Sequence, residues 1–272
     1  MKKCCLIILS VILQWAQMAV AAPLCTSQPI ECTIMPIDRN TISPEPIPLA
    51  FENAVLSENW SGYVAADNLA HPTTGSVTAV YGCWVVPILH PSTVTSYSAC
   101  WVGIDGFSNS TVQQIGTAQI WDGSSQQNNA WFEMYPGQAY YLLGFPVNPL
   151  DLISGSVEYT GDGIFVMTIE NITHGVYFTV PTSYTQSTSA LRNCAEWVME
   201  APYYNGVLPL ANFENAAFSS CTATINGVTA PISNIYWQCE SINMVTTSGT
   251  LKAVASSLNG SDLDFTVTWE HE

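Results

Sequence analysis

The sequence predicts an all-β protein in which two antiparallel sheets pack face to face as a sandwich. From about residue 58 onward the chain is rich in Val, Thr, Tyr, Trp and Ser, with Gly and Asn between the apolar runs, and this composition is typical of strands and turns. No long stretch shows the 3.6-residue apolar stripe of a helix. Many short strands without helices favour two packed sheets, and about 215 residues is ample for one such domain.

The candidate strands follow one another at short intervals, as expected for a sandwich. They are 76–86, 97–104, 112–121, 129–135, 155–160, 163–170, 175–181, 194–200, 216–225, 233–245, 249–256 and 262–270. We therefore expect a single β-sandwich domain over residues 55–272.

The N-terminus has the pattern of an export signal. Lys2 and Lys3 precede an apolar run, and small residues follow at 19–22. The run is about ten residues long, whereas a transmembrane helix needs roughly 20. Residues 1–22 are therefore predicted to be a signal peptide, and the protein to be secreted with no membrane partner.

Residues 23–54 differ in composition from the rest of the chain. They contain six prolines and little periodic apolar pattern, which is typical of an extended segment. We expect a pro-segment or tether here that does not pack as a domain of its own. Whether it is removed stays open at this stage.

The charge is strongly acidic. After loss of the signal, three basic residues remain against 21 acidic ones, a formal charge of 3 − 21 = −18. This excess argues against nucleic acid and anionic membranes as partners. It also favours operation at low pH, where protonation of carboxylates relieves their mutual repulsion. A monomer is expected.

Cysteine usage points to disulfides, because exported proteins meet an oxidising environment. Seven cysteines follow the signal, an odd number whose pairing cannot be derived from spacing. No C-x-x-C motif occurs and the four histidines are scattered, so we expect no metal site and no cofactor. The seven are Cys25, Cys32, Cys83, Cys100, Cys194, Cys221 and Cys239.

The sequence lacks the G-x-S-x-G motif of serine hydrolases, the H-E-x-x-H motif of zinc peptidases and the paired Asp-Thr/Ser-Gly motifs of pepsin-like enzymes. Candidate catalytic residues are therefore the polar residues on the predicted strands. Side chains alternate across a sheet, so Glu196 and Glu200 share one face of the strand 194–200. Glu133 shares a face with aromatic neighbours on 129–135, and Asp105 lies two residues beyond Gly103 in the same alternation as Trp101. These carboxylates beside aromatic rings indicate a groove, although solvated strand faces would show the same pattern.

Six strings then identify a family. They are NWSGY (59–63), CWVVP (83–87), WVGIDG (101–106), QIGTAQ (114–119), AWFEMYP (130–136) and AEWVME (195–200). In order and in approximate spacing they resemble the glutamic peptidases, the eqolisin family. The resemblance covers residues 58 to the C-terminus. It implies a bent, concanavalin/lectin-like sandwich with the active site on its concave sheet.

The resemblance also implies the site residues. The family glutamine stands two residues before a glycine, which matches Gln114 and excludes its neighbour Gln113, and the family glutamate matches Glu200. Trp101, Asp105 and Glu133 match residues that line the family's cleft. The resemblance therefore implies that the protein is a secreted acid endopeptidase that acts on proteins or peptides and needs no cofactor. Gln114 and Glu200 are expected to meet across adjacent strands around one water molecule.

Two other functions remain compatible with the residues. A glycoside hydrolase would use Glu133 and Glu200 as paired carboxylates, with tryptophans stacking on sugars. A carbohydrate-binding module would use the aromatic groove without catalysis. Gln114 would be dispensable in the glycoside hydrolase, and glycan binding by the module would be unaffected by Glu200→Gln.

Overall fold

Every regular element that the structure describes is a β-strand. The computed structural model describes residues 27–38, 48–51 and 54–272, so the predicted signal peptide lies outside the described residues. None of the described residues belongs to a helix that could cross a membrane. The strands are β1 (Gln28–Pro29), β2 (Thr33–Pro36), β3 (Pro48–Phe51), β4 (Ala54–Ser57), β5 (Trp60–Ala66), β6 (Val77–Val85), β7 (Ser96–Ile104), β8 (Val112–Trp121), β9 (Gln126–Tyr135), β10 (Ala139–Leu143), β11 (Leu152–Gly161), β12 (Ile164–Asn171), β13 (Val176–Thr179), β14 (Ala195–Glu200), β15 (Asn215–Ile225), β16 (Val228–Pro231), β17 (Gln238–Val245), β18 (Leu251–Ala255) and β19 (Phe265–Trp269).

The strands form two layers, as predicted. In the front layer the hydrogen-bonded order is β2–β10–β9–β8–β7–β14–β5–β17, and every pair is antiparallel. In the back layer the order is β19–β15–β6–β11–β12–β13–β1, antiparallel except for the last pair. Strand β18 pairs with β17 and with β19, so the two layers are one continuous ladder folded over at this edge rather than two separate sheets.

The layers approach closely because tryptophans from each reach polar groups of the other. The Trp197 indole donates to the backbone oxygen of Tyr81 at 2.8 Å, and the Trp84 indole donates to Thr117 Oγ1 at 2.9 Å. Gly82 makes room for the first ring, since an added Cβ there would lie 2.8 Å from Trp197. Each buried N–H therefore has a partner, which removes the cost of burying these rings in the core.

The segment 23–54 pairs with the sandwich where the structure describes it. Strand β2 adds to β10 at one end of the front layer, while β1 lies parallel to β13 at the end of the back layer. Strands β3 and β4 form a hairpin pair, and β4 runs parallel to β17. The segment is extended, as expected, but its described parts are added edge strands and not a free tether.

Candidate active site

The site lies on the face of the front layer that points away from the back layer. On β14, Ala195, Trp197 and Met199 enter the core between the layers, and Val198 packs in a second apolar cluster on the opposite face. Glu196 and Glu200 alternate with the first set and share the face of Val198. The faces predicted for this strand are thus the observed ones.

Register places the two predicted catalytic residues. Glu200 pairs with Ala99 on β7, which pairs with Ala118 on β8. Gln114 stands four residues before Ala118 on the same face, and its partner on β9 is Glu133. Strand β7 therefore separates β14 from β8, and the expectation that the pair lies on adjacent strands is wrong. The small side chain of Ala99 leaves the space between them open.

Two donors hold the Glu200 carboxylate. The indole Nε1 of Trp101 donates to Oε2 at 2.7 Å, and the Asn59 amide donates to Oε1 at 3.3 Å. The ring of Trp60 meets that of Trp101 edge-on, with centroids 4.9 Å apart and planes at 77°. This packing fixes the Trp101 indole, and Ser57 Oγ lies 3.2 Å from the amide oxygen of Asn59. The carboxylate is thus oriented by side chains that are themselves held.

Burial dominates the electrostatics of Glu200. With the side chain enclosed, desolvation raises its pKa from 4.5 to about 8, against the opposing effect of the nearby N–H groups of Trp101, Trp60 and Asn59. In the enclosed state the carboxyl group therefore keeps its proton through acidic and neutral pH. Access of water to the carboxyl group would lower this pKa, because hydration favours the charged form.

Gln114 is held by Glu133. Its Nε2 donates to Glu133 Oε2 at 3.0 Å, which fixes the amide plane. Its Oε1 accepts no hydrogen bond from any described group, although the side chain is fully buried. Gln113, the excluded neighbour, takes the opposite face and points into the core between the layers, as alternation predicts. Gln114 thus has one free acceptor and one of its two amide hydrogens available.

A small cavity lies beside Glu200 and Glu133, and its walls do not include Gln114, Trp101 or Asp105. Its volume is about 20 Å³, enough for a single water molecule. Both acidic groups reach it: Glu200 from β14 and Glu133, the partner of Gln114, from β9. Its other walls are Ile37, Ala99, Ala118, Trp131, Ala139, Tyr141 and Pro202.

Residues 58–269 match the family model described as the peptidase A4 family. The chain belongs to the peptidase A4 family. It is therefore a glutamic endopeptidase, which sets aside the glycoside hydrolase and the carbohydrate-binding module.

Individual relatives agree with the family match. Aspergillopepsin-2 of Aspergillus niger is 28% identical over 196 residues, which are 65% of this chain and 68% of that protein. The crystal structure of aspergilloglutamic peptidase from Aspergillus niger has a TM-score of 0.58 and 25% identity, and covers 64% of this chain and 99% of its own. Scytalido-glutamic peptidase with a transition state analog inhibitor shares the fold, with a TM-score of 0.64 and 24% identity over 78% of this chain and 98% of its own.

The carboxylate of Asp105 in this peptidase accepts four hydrogen bonds from nearby residues of the chain. Its carboxylate accepts hydrogen bonds from the backbone N–H groups of Arg192 and Asn193 at 2.8 and 2.9 Å, and from the side chains of Asn109 and Thr111 at 2.9 and 3.2 Å. Burial raises the pKa of Asp105, and these bonds oppose the rise. It was predicted to line the cleft; in the structure it ties the turn after β7 to the start of β14.

Glu196 is a further buried acid of the peptidase. It pairs with Gly103 on β7, which pairs with Gln114, so the two side chains occupy one row of the same face. No described group makes a regular hydrogen bond to either carboxyl oxygen. Burial raises its pKa well above the usual range, and the carboxylate of Asp105 acts in the same direction. Glu196 is thus protonated in the fold at acidic pH.

Sequence reasoning missed several residues of this site. Asn59 was noted only as the first residue of the NWSGY string, with no role of its own. Ile37, just after β2, and Tyr141, on β10, line the cavity from positions that carry no recognisable signal. They are identified only by their position in the folded protein, where they line the same cavity as Glu133 and Glu200.

The predicted disulfides are not found in the part of the chain that the structure describes. Cys25 lies outside it, and the other six cysteines are free thiols. Cys100, Cys194 and Cys221 are buried, and desolvation raises the pKa of each thiol. The described residues also contain no group of three or more His, Cys, Asp and Glu side chains arranged to hold a metal ion.

Proposed function

We propose that the protein is a secreted, monomeric endopeptidase that works at acidic pH and uses Gln114 and Glu200 as its catalytic pair. One observation carries this proposal. Glu200 and the Glu133 carboxylate that holds Gln114 line the same cavity, whose volume suits one water molecule. Peptide hydrolysis needs a water positioned between a base and a group that stabilises the oxyanion.

Glu200 would act first as base and then as acid. As a carboxylate it takes a proton from the water that attacks the scissile carbonyl carbon, and it then delivers that proton to the leaving amine. This cycle requires a pKa near the working pH. The hydrogen bonds from Trp101 and Asn59 favour the charged form, and they take effect fully once water in an open cleft removes the desolvation penalty.

Gln114 would stabilise the tetrahedral intermediate. Its amide group has two N–H donors, of which Glu133 takes one. The second is free for the developing oxyanion, and Oε1 is free to orient the water. One such donor contributes about 2.7 to 4 kcal/mol to transition-state stabilisation, about 10² to 10³ in rate.

The other predicted cleft residues divide by geometry. Trp101 and Glu133 contact the catalytic pair directly, and we propose that they border bound peptide. Asp105 is proposed as a positioning residue, since its hydrogen bonds hold the backbone of Arg192 and Asn193 ahead of β14. No group in this scheme requires a metal or an organic cofactor.

Maturation belongs to the same proposal. Residues 1–22 would be removed on export and 23–54 on activation, which leaves the sandwich domain from residue 55. The start of the family match at residue 58 and the acidic charge of the chain support this scheme.

The test is a pH profile combined with N-terminal sequencing of the secreted protein. Digestion of a denatured protein should be fast near pH 3 and fall towards pH 7, by a form that starts near residue 55. Full activity at pH 7 and none at pH 3 would refute acid operation, and a start near residue 22 in the active form would refute removal of 23–54.

A further inference from the structure

Strand β2 lies along the outer edge of strand β10. The inner edge of β10 pairs with β9, and its outer edge pairs only with β2 in the described structure. The register is antiparallel and regular, from Tyr140 opposite Pro36 to Leu143 opposite Thr33. If β2 left, the backbone N–H and C=O groups along β10 would form an open edge, the type of surface to which extended peptides add as a further strand.

Ile37 continues this pairing into the active site. Its backbone N–H donates to the oxygen of Ala139 at 2.9 Å, and the Gln138 side chain donates to its oxygen. Ile37, which directly follows β2, is 6% exposed, whereas Met35 on β2 is 42% exposed. The main chain is therefore held as a peptide ligand would be, with one side chain turned inward.

The surroundings of Ile37 are apolar apart from two carboxyl groups. Ile37 packs in the second apolar cluster with Ala99, Ala118, Trp131 and Ala139, and Tyr141 packs against this cluster. Glu133 and Glu200 line the cavity beside it. A branched aliphatic side chain fills such a volume with little loss of rotamer entropy. A charged or strongly polar side chain would lose its hydration there without a partner.

We propose that residues 33–37 imitate a bound substrate: β2 occupies the edge of β10 where an extended peptide adds, and Ile37 fills a side-chain subsite that selects branched aliphatic residues. This inference rests on the proposed peptidase function and specifies its substrate preference. The same contact closes the catalytic cavity in the precursor.

The state of Glu200 agrees with such a closure. Enclosure holds the pKa of Glu200 at about 8, so the precursor keeps the general base protonated at acidic pH. Departure of Ile37 would admit water beside the carboxyl group and lower that pKa. Release of the strand would thus vacate the subsite and activate the base together.

Two peptides test the subsite. One has the sequence of residues 33–38, and the other differs only by Ser in place of Ile37. Against the secreted, matured enzyme, the first should inhibit digestion competitively and at least about tenfold more strongly, because burial of one isoleucine side chain supplies that difference. A peptide with Val at this position should approach the first, and one with Ser in place of Met35 should equal it.

The outcomes separate this inference from the proposed function. Equal inhibition by the Ile and Ser peptides, or non-competitive inhibition, would overturn the subsite while peptidase activity stands. If the secreted protein shows no peptidase activity, calorimetric binding of the same peptides to the Ile37→Ser chain, in which the internal strand is weakened, decides the matter. A tenfold preference for Ile there supports the subsite, and equal binding refutes it.

Discussion

The indole nitrogen of Trp101 lies 2.7 Å from Oε2 of Glu200, and this contact joins the middle of β7 to the end of β14. It crosses two residues along the strands, since Trp101 pairs with Val198 and not with Glu200. The two side chains therefore meet diagonally across the pair of strands. A donor at this position favours the charged form of Glu200.

Replacement of Trp101 by Phe should keep the ring and lose the N–H. The pKa of Glu200 should rise, because a hydrogen bond to its charged form is gone. A bond to a charged group contributes about 1.5 to 3 kcal/mol, so kcat/KM at acidic pH should fall about 10- to 100-fold. The measurement is kcat/KM against pH, in which the acidic limb should move upward.

Trp84→Phe is the matched control. Its indole also donates a buried hydrogen bond, to Thr117, but in the core between the layers. It should lower the free energy of unfolding and leave the shape of the pH profile as it is. An equal displacement of the acidic limb in both variants would contradict the role of Trp101.

Stability should fall between acidic and neutral pH. The pKa of Glu200 is raised from 4.5 to about 8 in the fold, so its stabilising contribution is complete below pH 4.5 and is lost as the pH rises through 8. Over this window the loss is about 1.4 kcal/mol per pH unit for one group. The raised pKa of Glu196 should likewise lower the free energy of unfolding as the pH rises.

Urea unfolding at pH 4, 6 and 8 measures this dependence. The Glu200→Gln variant cannot ionise at this position, so its free energy of unfolding should decline less steeply than that of the parent chain. Equal slopes for the two proteins would show that Glu200 is not the group responsible.

Substitution of Gln113 by Met should change mainly the stability of the fold, whereas the same substitution of Gln114 should change mainly kcat. Gln113 is buried in the core between the layers, and neither of its amide atoms has a described hydrogen-bond partner. Gln113→Met should stabilise the fold by about 1 to 2 kcal/mol and leave kcat within about twofold. Gln114→Met should lower kcat by about 10² to 10³ because it removes the oxyanion donor. Urea unfolding and steady-state kinetics decide; comparable kcat values for the two variants would contradict the assignment.

The sequence contains four Asn-x-Ser/Thr sequons, the acceptor motif for N-glycosylation, at Asn59, Asn109, Asn171 and Asn259. Only some of them should carry glycans in a glycosylating host. Asn59 and Asn171 are buried, and their amides donate to Glu200 and Asp151 respectively. Asn259 is exposed at the turn before β19. Mass spectrometry of the folded, active protein should find glycan on Asn259 and none on Asn59 or Asn171. A glycan on Asn59 of active enzyme would contradict the site geometry.

The fold was largely predictable because the strands of the two layers have a period of two. Every candidate strand corresponds to an observed one, including β14, where the faces of Glu196 and Trp197 follow from alternation alone. Strand β5 was missed because its sequence, WSGYVAA, does not alternate apolar and polar residues. Strand β2 was missed because Pro29 and Pro36 obscure an edge strand that needs few ladder hydrogen bonds.

The site was predictable only in part. Motif spacing led to Gln114 and Glu200, but the intervening β7 follows from strand order, which no local pattern encodes. Asn59 approaches Glu200 from 141 positions away in the chain. Ile37 approaches through strand addition by a proline-rich segment. Disulfides were predicted from the compartment alone, and the six cysteines in the described part of the chain are free thiols.

The most direct measurement of the central claim is kcat/KM for a denatured protein at pH 3, with Glu200→Gln compared with the unmodified enzyme and folding of both verified by circular dichroism. Loss of the general base and acid should lower kcat/KM by about 10² to 10⁴ while the fold remains intact. A folded Glu200→Gln enzyme that digests the substrate at the unmodified rate would show that this carboxyl group does not activate the water.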